Sequence, residues 1–137
     1  MWTGMMPAVT TKFTEDGGLD RAEMERCFAL QIDAGNAGLI TCGTLGEGPM
    51  LSPDERLEVL RIAKSVSGAK PALLTVSEAG TREACALAAR AAKAGADGLM
   101  IVPSPMYHTD RAETVANILA IPAAGELPVV VLSPIPR

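Results

Sequence analysis

The sequence predicts an α/β fold in which parallel β-strands alternate with helices. Short apolar runs without polar alternation, typical of strands buried on both faces, recur about every 30 residues, the length of one strand–helix unit. Residues 34–39 and 94–99 both read Ala-Gly-x-x-Gly-Leu, in which the first glycine ends a helix and the second opens a strand. About five parallel strands are expected, near residues 5–10, 38–42, 72–76, 98–102 and 128–132.

Four helices fill the intervals between these strands, and each has a recognisable start. Asp20 and Asp110 can cap the first and fourth helices, and Thr81 can cap the third. Ser52-Pro53-Asp54-Glu55 combines an N-cap hydroxyl, a proline at the first helical position and a capping glutamate, which predicts the start of the second helix. The fourth helix is expected to present an apolar side formed by Val115, Ile118 and Leu119.

Repeated strand–helix units build either an open, doubly wound sheet or a closed barrel. No Gly-x-Gly-x-x-Gly follows the first strand, so the dinucleotide-binding fold is disfavoured and a barrel is favoured. The 137 residues, 48% of them hydrophobic and 20% charged, fit a single domain that covers residues 1–137.

Composition and charge argue against several classes of function. The net charge of −4 and the lack of a basic cluster disfavour a surface for nucleic acid or for an anionic membrane. Cys27, Cys42 and Cys85 are odd in number and widely spaced, which indicates reduced thiols and neither a disulfide framework nor a zinc site. No run approaches the roughly 18 apolar residues of a membrane span, and no secretory leader is recognised. We therefore expect a cytoplasmic protein without a metal site.

The stretch Gly43-Thr44-Leu45-Gly46-Glu47 is the candidate functional loop. It follows the apolar run at residues 38–42 and precedes the helix start at Ser52, so it connects a strand to a helix. Two glycines allow a tight turn, and the N–H groups of Thr44 and Leu45 with the Thr44 hydroxyl are donors suited to a carboxylate or a phosphate. The alternative is that the glycines only make the turn, because a single glycine-rich loop is a weak signal.

Taken together, several motifs resemble the dihydrodipicolinate synthase/N-acetylneuraminate lyase family, in order and spacing, from about Gly4 to Val131. The matching pieces are Pro7-Ala8-Val9-Thr10 with Asp16-Gly17-Gly18-Leu19-Asp20, Gly-Thr-Leu-Gly-Glu at 43–47 with residues 51–56, and Ala94-Gly95-Ala96-Asp97-Gly98. The resemblance implies a (β/α)8 TIM barrel, of which this chain would be the N-terminal half. It also implies a lyase in which a lysine forms a Schiff base with pyruvate or another small 2-oxo acid. A carbon–carbon bond is then made or broken, or water is eliminated, and no cofactor is implied.

The resemblance also assigns roles to individual residues. Gly43, Thr44 and Leu45 fall on the family's substrate-binding motif, where they would hold the substrate carboxylate, although Leu45 replaces a hydroxyl residue and so puts a hydroxyl proton relay in doubt. Tyr107 falls on a tyrosine that, in synthase members, reaches toward a neighbouring subunit's active site. Thr44 and Tyr107 are therefore the candidate catalytic residues, and a homo-oligomer is expected. Leu132 stands where the family usually has a tyrosine.

The family's Schiff-base lysine lies on the sixth strand, which this sequence does not contain. Its four lysines lie on a loop, on helices or before a strand: Lys12, Lys64, Lys70 and Lys93. We therefore expect the chain to be inactive alone and aggregation-prone, and we hypothesise an early stop or a change of reading frame. The alternatives are a non-catalytic remnant that binds a small carboxylate or a full-length paralogue, and a half-barrel that completes itself by oligomerising.

Overall fold

The structure, a computed structural model, describes residues 2–103 and 110–132, which form four α-helices around a parallel sheet of four strands. The sheet order is β1-β2-β3-β4, so every strand pairs with its neighbour in the sequence. The elements are α1 (Arg21–Asp33), β1 (Leu39–Thr41), a 3-10 turn (Gly48–Met50), α2 (Pro53–Ser67), β2 (Ala72–Val76), α3 (Thr81–Lys93), β3 (Gly98–Ile101), α4 (Arg111–Gly125) and β4 (Val129–Val131). The predicted α/β class and the four later strands are confirmed.

The first predicted strand, at residues 5–10, is reduced to a single parallel bridge between Ala8 and Ile40. Ile40 donates its N–H to the Pro7 carbonyl and Val9 donates to the Ile40 carbonyl, both at 2.9 Å. The carbonyl and nitrogen of one strand residue face the same side, so the Pro7 nitrogen faces β1. Because that nitrogen carries no proton, it cannot donate the next bond of the ladder, and the Met5 carbonyl accepts from the Ala37 N–H, at 2.7 Å, outside the parallel register. The prediction of a full strand was wrong for this reason.

Two faces of the sheet differ in what covers them. Side chains alternate along a strand, so Leu74 and Leu99 point toward the helices, where they join a buried core with Leu60 and Ile62 of α2. The neighbouring pair, Thr75 and Met100, therefore points to the opposite, inner face. On this inner face, Thr75 and Met100, near the carboxyl ends of β2 and β3, are the side chains that lie beside Gly43 of the candidate loop.

The N-terminal segment covers the amino ends of the strands. A Cβ atom at Gly98 would lie 2.1 Å from the Trp2 indole, and one at Gly38 would lie 2.8 Å from the Met6 methyl group. Both glycines are the second glycine of the Ala-Gly-x-x-Gly-Leu pattern. The repeat therefore leaves room for a large side chain to pack against the backbone at each position.

Most of the predicted helix starts are confirmed. Ser52 with Glu55 and Asp110 with Glu113 form reciprocal capping boxes, and the Asp20 side chain accepts the Glu23 N–H. The prediction for Thr81 was wrong: Gly80 occupies the N-cap of α3 and makes no side-chain cap bond. The Thr81 hydroxyl instead accepts a hydrogen bond from Asn117 of α4 at 2.8 Å.

Helix α4 packs on α3 through a stripe next to the predicted one. Ile118 is half-buried and Ile121 is 2% exposed, whereas Val115 and Leu119 are 48% and 66% exposed. A Cβ atom at Gly125 would lie 3.0 Å from the Ala88 carbonyl oxygen, which shows how closely the end of α4 approaches α3. No helix within the described ranges is long and apolar enough to cross a bilayer.

Candidate functional site

The loop from Gly43 to Glu47 leaves the carboxyl end of β1 through two left-handed residues. Cys42 has a φ of 56° and Glu47 a φ of 55°, a conformation that costs non-glycine residues energy. Between them the chain closes on itself, because Glu47 donates its N–H to the Thr44 carbonyl and Gly48 donates to the Gly43 carbonyl, both at 3.1 Å. The loop is therefore a compact turn with a defined shape.

The two glycines of this loop, and Gly48 at the start of the 3-10 turn that follows it, lie in different surroundings. A Cβ atom at Gly46 would lie 2.8 Å from the Val9 carbonyl oxygen, and one at Gly48 would lie 1.9 Å from the Cys42 carbonyl oxygen. The Thr11 hydroxyl donates to the Gly46 carbonyl at 2.6 Å, which fixes the turn against the N-terminal segment. At Gly43, in contrast, a Cβ atom would make only ordinary contacts of 3.6 and 3.7 Å. Sequence reasoning did not single out Gly48, the most tightly enclosed of the three.

The backbone amides of Thr44 and Leu45 have no acceptor within residues 2–103 and 110–132. Both residues lie at the surface, and Leu45 is 69% exposed. Gly43 itself is buried. The structure thus places Gly43, Thr44 and Leu45 together, with two free donors at the surface, and anion binding by this set stays a prediction.

On the inner face, Thr75 of β2 lies next to this loop. Its Oγ1 atom would be 3.6 Å from a Cβ at Gly43, and the Met100 methyl group would be 3.7 Å from the same point. Thr75 is 2% exposed, and its hydroxyl makes no hydrogen bond to any described residue. Sequence reasoning missed Thr75; the available signal was a hydroxyl residue in the otherwise apolar run at residues 72–76.

The helix side of the loop is held by Arg56, near the start of α2. Its Nε atom donates to the Leu51 carbonyl at 3.1 Å, and its guanidinium pairs with Glu78, with side chains only 11% and 13% exposed. The Glu78 carboxylate also accepts the Ser77 N–H at 3.0 Å. Glu78 therefore joins the end of β2 to α2, and its charge is already paired.

Burial at the base of the loop affects the Cys42 thiol. Removal from water raises its pKa to about 12, because the thiolate loses more solvation than the neutral thiol. A thiol that stays protonated is a poor nucleophile. Cys42 therefore packs the loop against the core and is not a candidate for covalent chemistry.

Two of the predictions concern other parts of the chain. Tyr107, together with its loop at residues 104–109, lies outside the described residues. The four lysines are all described, and none lies on a strand. Lys64 pairs with Asp97 at 2.7 and 2.8 Å, and Lys70 donates to the Ile32 carbonyl at 3.0 Å, both at the amino ends of the strands. Within the described ranges no group of three His, Cys, Asp or Glu side chains is placed to hold a metal ion.

Comparisons with known proteins agree with this architecture. The profile of the dihydrodipicolinate synthetase family matches residues 1–136. The chain is 36% identical over 133 residues to a 4-hydroxy-tetrahydrodipicolinate synthase of Rhizobium meliloti, covering 96% of this chain and 45% of that protein. The chain thus spans less than half the length of the curated relatives that it matches, at their N-terminal end.

Solved structures show the same correspondence. YagE, a prophage protein of the dihydrodipicolinic acid synthase family from E. coli K12, superposes with a TM-score of 0.89 at 30% identity, covering 96% of this chain and 44% of YagE. The dihydrodipicolinate synthase of Acinetobacter baumannii gives a TM-score of 0.89 at 28% identity, with 96% and 45% coverage. The predicted fold class, a partial (β/α)8 TIM barrel, is therefore confirmed. The chain belongs to the dihydrodipicolinate synthetase family.

Proposed function

We propose that this chain binds a small 2-oxo acid, such as pyruvate, by its carboxylate through the loop residues Gly43, Thr44 and Leu45. The observation that carries the proposal is that Thr44 and Leu45 are exposed residues whose backbone amides have no acceptor among the described residues. They lie at the carboxyl end of β1, the end at which barrel enzymes build their active sites. Two similar proteins, YagE and the Acinetobacter baumannii synthase, were crystallised with pyruvate, which supports the choice of ligand.

The chemistry that we propose for the complete active site is that of a Schiff-base lyase or aldolase. A lysine amine would condense with the 2-oxo carbon and release water, and the resulting iminium would accept electrons as a carbon–carbon or carbon–oxygen bond changes. Thr44 would hold the carboxylate and assist proton transfer through its hydroxyl. Tyr107 would act at the active site of a neighbouring subunit, in a cytoplasmic homo-oligomer.

The placement of the lysines limits what the 137-residue polypeptide does alone. Lys64 and Lys70 are engaged at the amino ends of the strands, and Lys93 is the last residue of α3. Lys12 lies between the Ala8 bridge and α1. We therefore propose that this polypeptide supplies the carboxylate site and not the reactive amine. For this polypeptide taken by itself, the second candidate function is non-catalytic binding of a small carboxylate or of a full-length paralogue.

Amide-resolved NMR titration of the folded chain with pyruvate tests the carboxylate site. Two or three hydrogen bonds, each contributing about 1 kcal/mol, correspond to millimolar affinity or weaker. We expect saturable shifts at the Thr44 and Leu45 amides. Methyl pyruvate, which keeps the oxo group but lacks the negative charge, is the matched control and should leave both amides unshifted. Shifts elsewhere but not at these two residues would mean that the loop is only a turn.

Borohydride reduction in the presence of pyruvate, followed by intact-mass measurement, tests the proposed lack of a reactive lysine. We expect no adduct on the 137-residue polypeptide, because none of its four lysines lies on, or directly after, one of the strands β1 to β4. A stoichiometric adduct would contradict this part of the proposal and would remove the main support for the non-catalytic alternative.

A further inference from the structure

Thr75 is exceptional among the buried hydroxyl residues of the described chain. Buried hydroxyls elsewhere have partners: Thr11 donates to the Gly46 carbonyl at 2.6 Å, and Thr41 donates to the Leu73 carbonyl at 2.9 Å. Thr75 Oγ1 has no partner within the described residues, although the side chain is only 2% exposed. A buried hydroxyl without a partner destabilises the fold, so its presence calls for a physical reason.

The position of this hydroxyl supplies one. Thr75 pairs in register with Met100 on β3, and both side chains face the inner side of the sheet. The Thr75 oxygen and the Met100 methyl group border the same point beside the Gly43 backbone, at 3.6 and 3.7 Å, where glycine leaves a space as large as a methyl group. The free amides of Thr44 and Leu45 belong to the next two residues of the chain. The unpartnered hydroxyl therefore lies beside Gly43, the residue that directly precedes the two unpaired amides.

We propose that the Thr75 hydroxyl donates a third hydrogen bond to the carboxylate bound at Thr44 and Leu45, which makes Thr75 a further substrate-binding residue. This inference rests on the proposed function of the loop. A carboxylate only accepts hydrogen bonds and has about four lone-pair sites on two oxygens, so it can take three donors at once. Met100 is half-buried, and its flexible side chain can move aside to admit a carboxylate oxygen at Gly43.

Two substitutions separate a binding role from a structural one. Thr75→Val keeps the shape and removes the hydroxyl, whereas Thr75→Ser keeps the hydroxyl and serves as the control. Because no hydrogen bond is lost in the unliganded fold, Thr75→Val should leave the melting temperature unchanged or raise it. The same variant should weaken pyruvate binding, measured by NMR titration, about tenfold, since a bond to a charged acceptor is lost. Thr75→Ser should stay within about twofold of the unsubstituted chain.

Each outcome of this experiment has a defined meaning. A lower melting temperature for Thr75→Val would show that the hydroxyl is bonded within the fold, and would overturn the inference. Unchanged pyruvate affinity of Thr75→Val would also overturn the inference. The proposed function would still hold in that case if pyruvate shifted the Thr44 and Leu45 amides of the unsubstituted chain. Absence of those shifts in the unsubstituted chain would be a failure of the proposed function itself.

A second ligand identifies the group that the hydroxyl contacts. Propionate has the carboxylate but no oxo group, so Thr75→Val should weaken propionate and pyruvate binding by the same factor. A loss confined to pyruvate would place the hydroxyl on the oxo group and would overturn the assignment to the carboxylate.

Discussion

At the scale of single residues, Gly43, Gly46 and Gly48 lack a side chain for different physical reasons. Gly48 and Gly46 are required because a Cβ would meet backbone oxygen at 1.9 and 2.8 Å, and backbone cannot move aside cheaply. Gly43 has neither a positive φ nor a close backbone contact. Its lack of a side chain leaves space beside Thr75, which is a property of the site and not of the turn.

The glycines give the first prediction. Gly48→Ala should destabilise the chain by about 3 kcal/mol or more, because the new methyl group overlaps the Cys42 carbonyl. Gly43→Ala should change the unfolding free energy by less than about 1 kcal/mol, since its contacts are ordinary and alanine restricts the unfolded chain. Urea denaturation measures both variants. If Gly43→Ala were as destabilising as Gly48→Ala, the turn itself would require glycine at position 43, contrary to this interpretation.

Cys42 gives the second prediction, on pH. Its pKa in the folded chain is about 12, above the ordinary value of 9.0, so the folded state keeps a proton that the unfolded state releases between these values. The contribution of this thiol to stability is therefore intact below pH 9 and decreases as pH rises toward 12. Urea midpoints at pH 8 and pH 10 should fall further for the unsubstituted chain than for Cys42→Ala, which cannot titrate. Parallel declines in the two proteins would contradict the assignment.

At the scale of helices and strands, the sequence predicts best what is decided locally. The capping box of Ser52 and Glu55 and the one of Asp110 and Glu113 involve residues three positions apart, so the pattern is visible before any packing is known. The face that α4 buries is set by its packing against α3. Apolar character alone pointed to Val115 and Leu119, which are exposed in the structure. The first strand depends on which side of Pro7 faces β1, and that too is settled only by the sheet.

The third prediction concerns the connection between α2 and β2. Arg56 binds the Leu51 carbonyl and Glu78 with little exposure, so Arg56→Ala leaves a buried carboxylate and a carbonyl without their partner. We expect a loss of about 3 kcal/mol in unfolding free energy. Arg90 pairs with Asp54 on the surface, with side chains 44% and 88% exposed, so Arg90→Ala is the matched control and should cost less than about 1 kcal/mol. Equal losses in thermal or urea unfolding would show that burial of the Arg56 pair has no special effect.

At the scale of the whole molecule, the candidate site is built from residues on different strands. The donors of Thr44 and Leu45 could be predicted because they lie in one continuous loop after a recognisable strand. Thr75 lies 31 positions beyond Thr44, and it reaches the loop only through the parallel pairing of β1 with β2. A prediction from sequence gives the positions of the strands but not their register, so it cannot show that this hydroxyl lies beside Gly43.

The sheet also has two edges within the described chain. At one, the segment of Ala8 makes only a single bridge; at the other, β4 pairs with β3 alone. Val130, Val131 and Leu132 are 41%, 39% and 52% exposed at this second edge. An exposed apolar edge strand offers free backbone donors and acceptors to another chain, so self-association of the polypeptide through β4 is expected.

The fourth prediction tests self-association at that edge. Val131→Lys places a charge on β4, and an edge lysine disfavours strand-to-strand contact between chains because its charge would have to be desolvated. We expect a lower weight-average mass by sedimentation equilibrium than for the unsubstituted polypeptide at the same concentration. Met50→Lys is the control, since Met50 is 81% exposed on the 3-10 turn and the change in charge and apolar surface is similar. Because both variants gain one positive charge, a general gain in solubility would lower the mass of both equally. An effect confined to Val131→Lys would assign the association to β4, whereas equal effects would contradict an edge-to-edge contact.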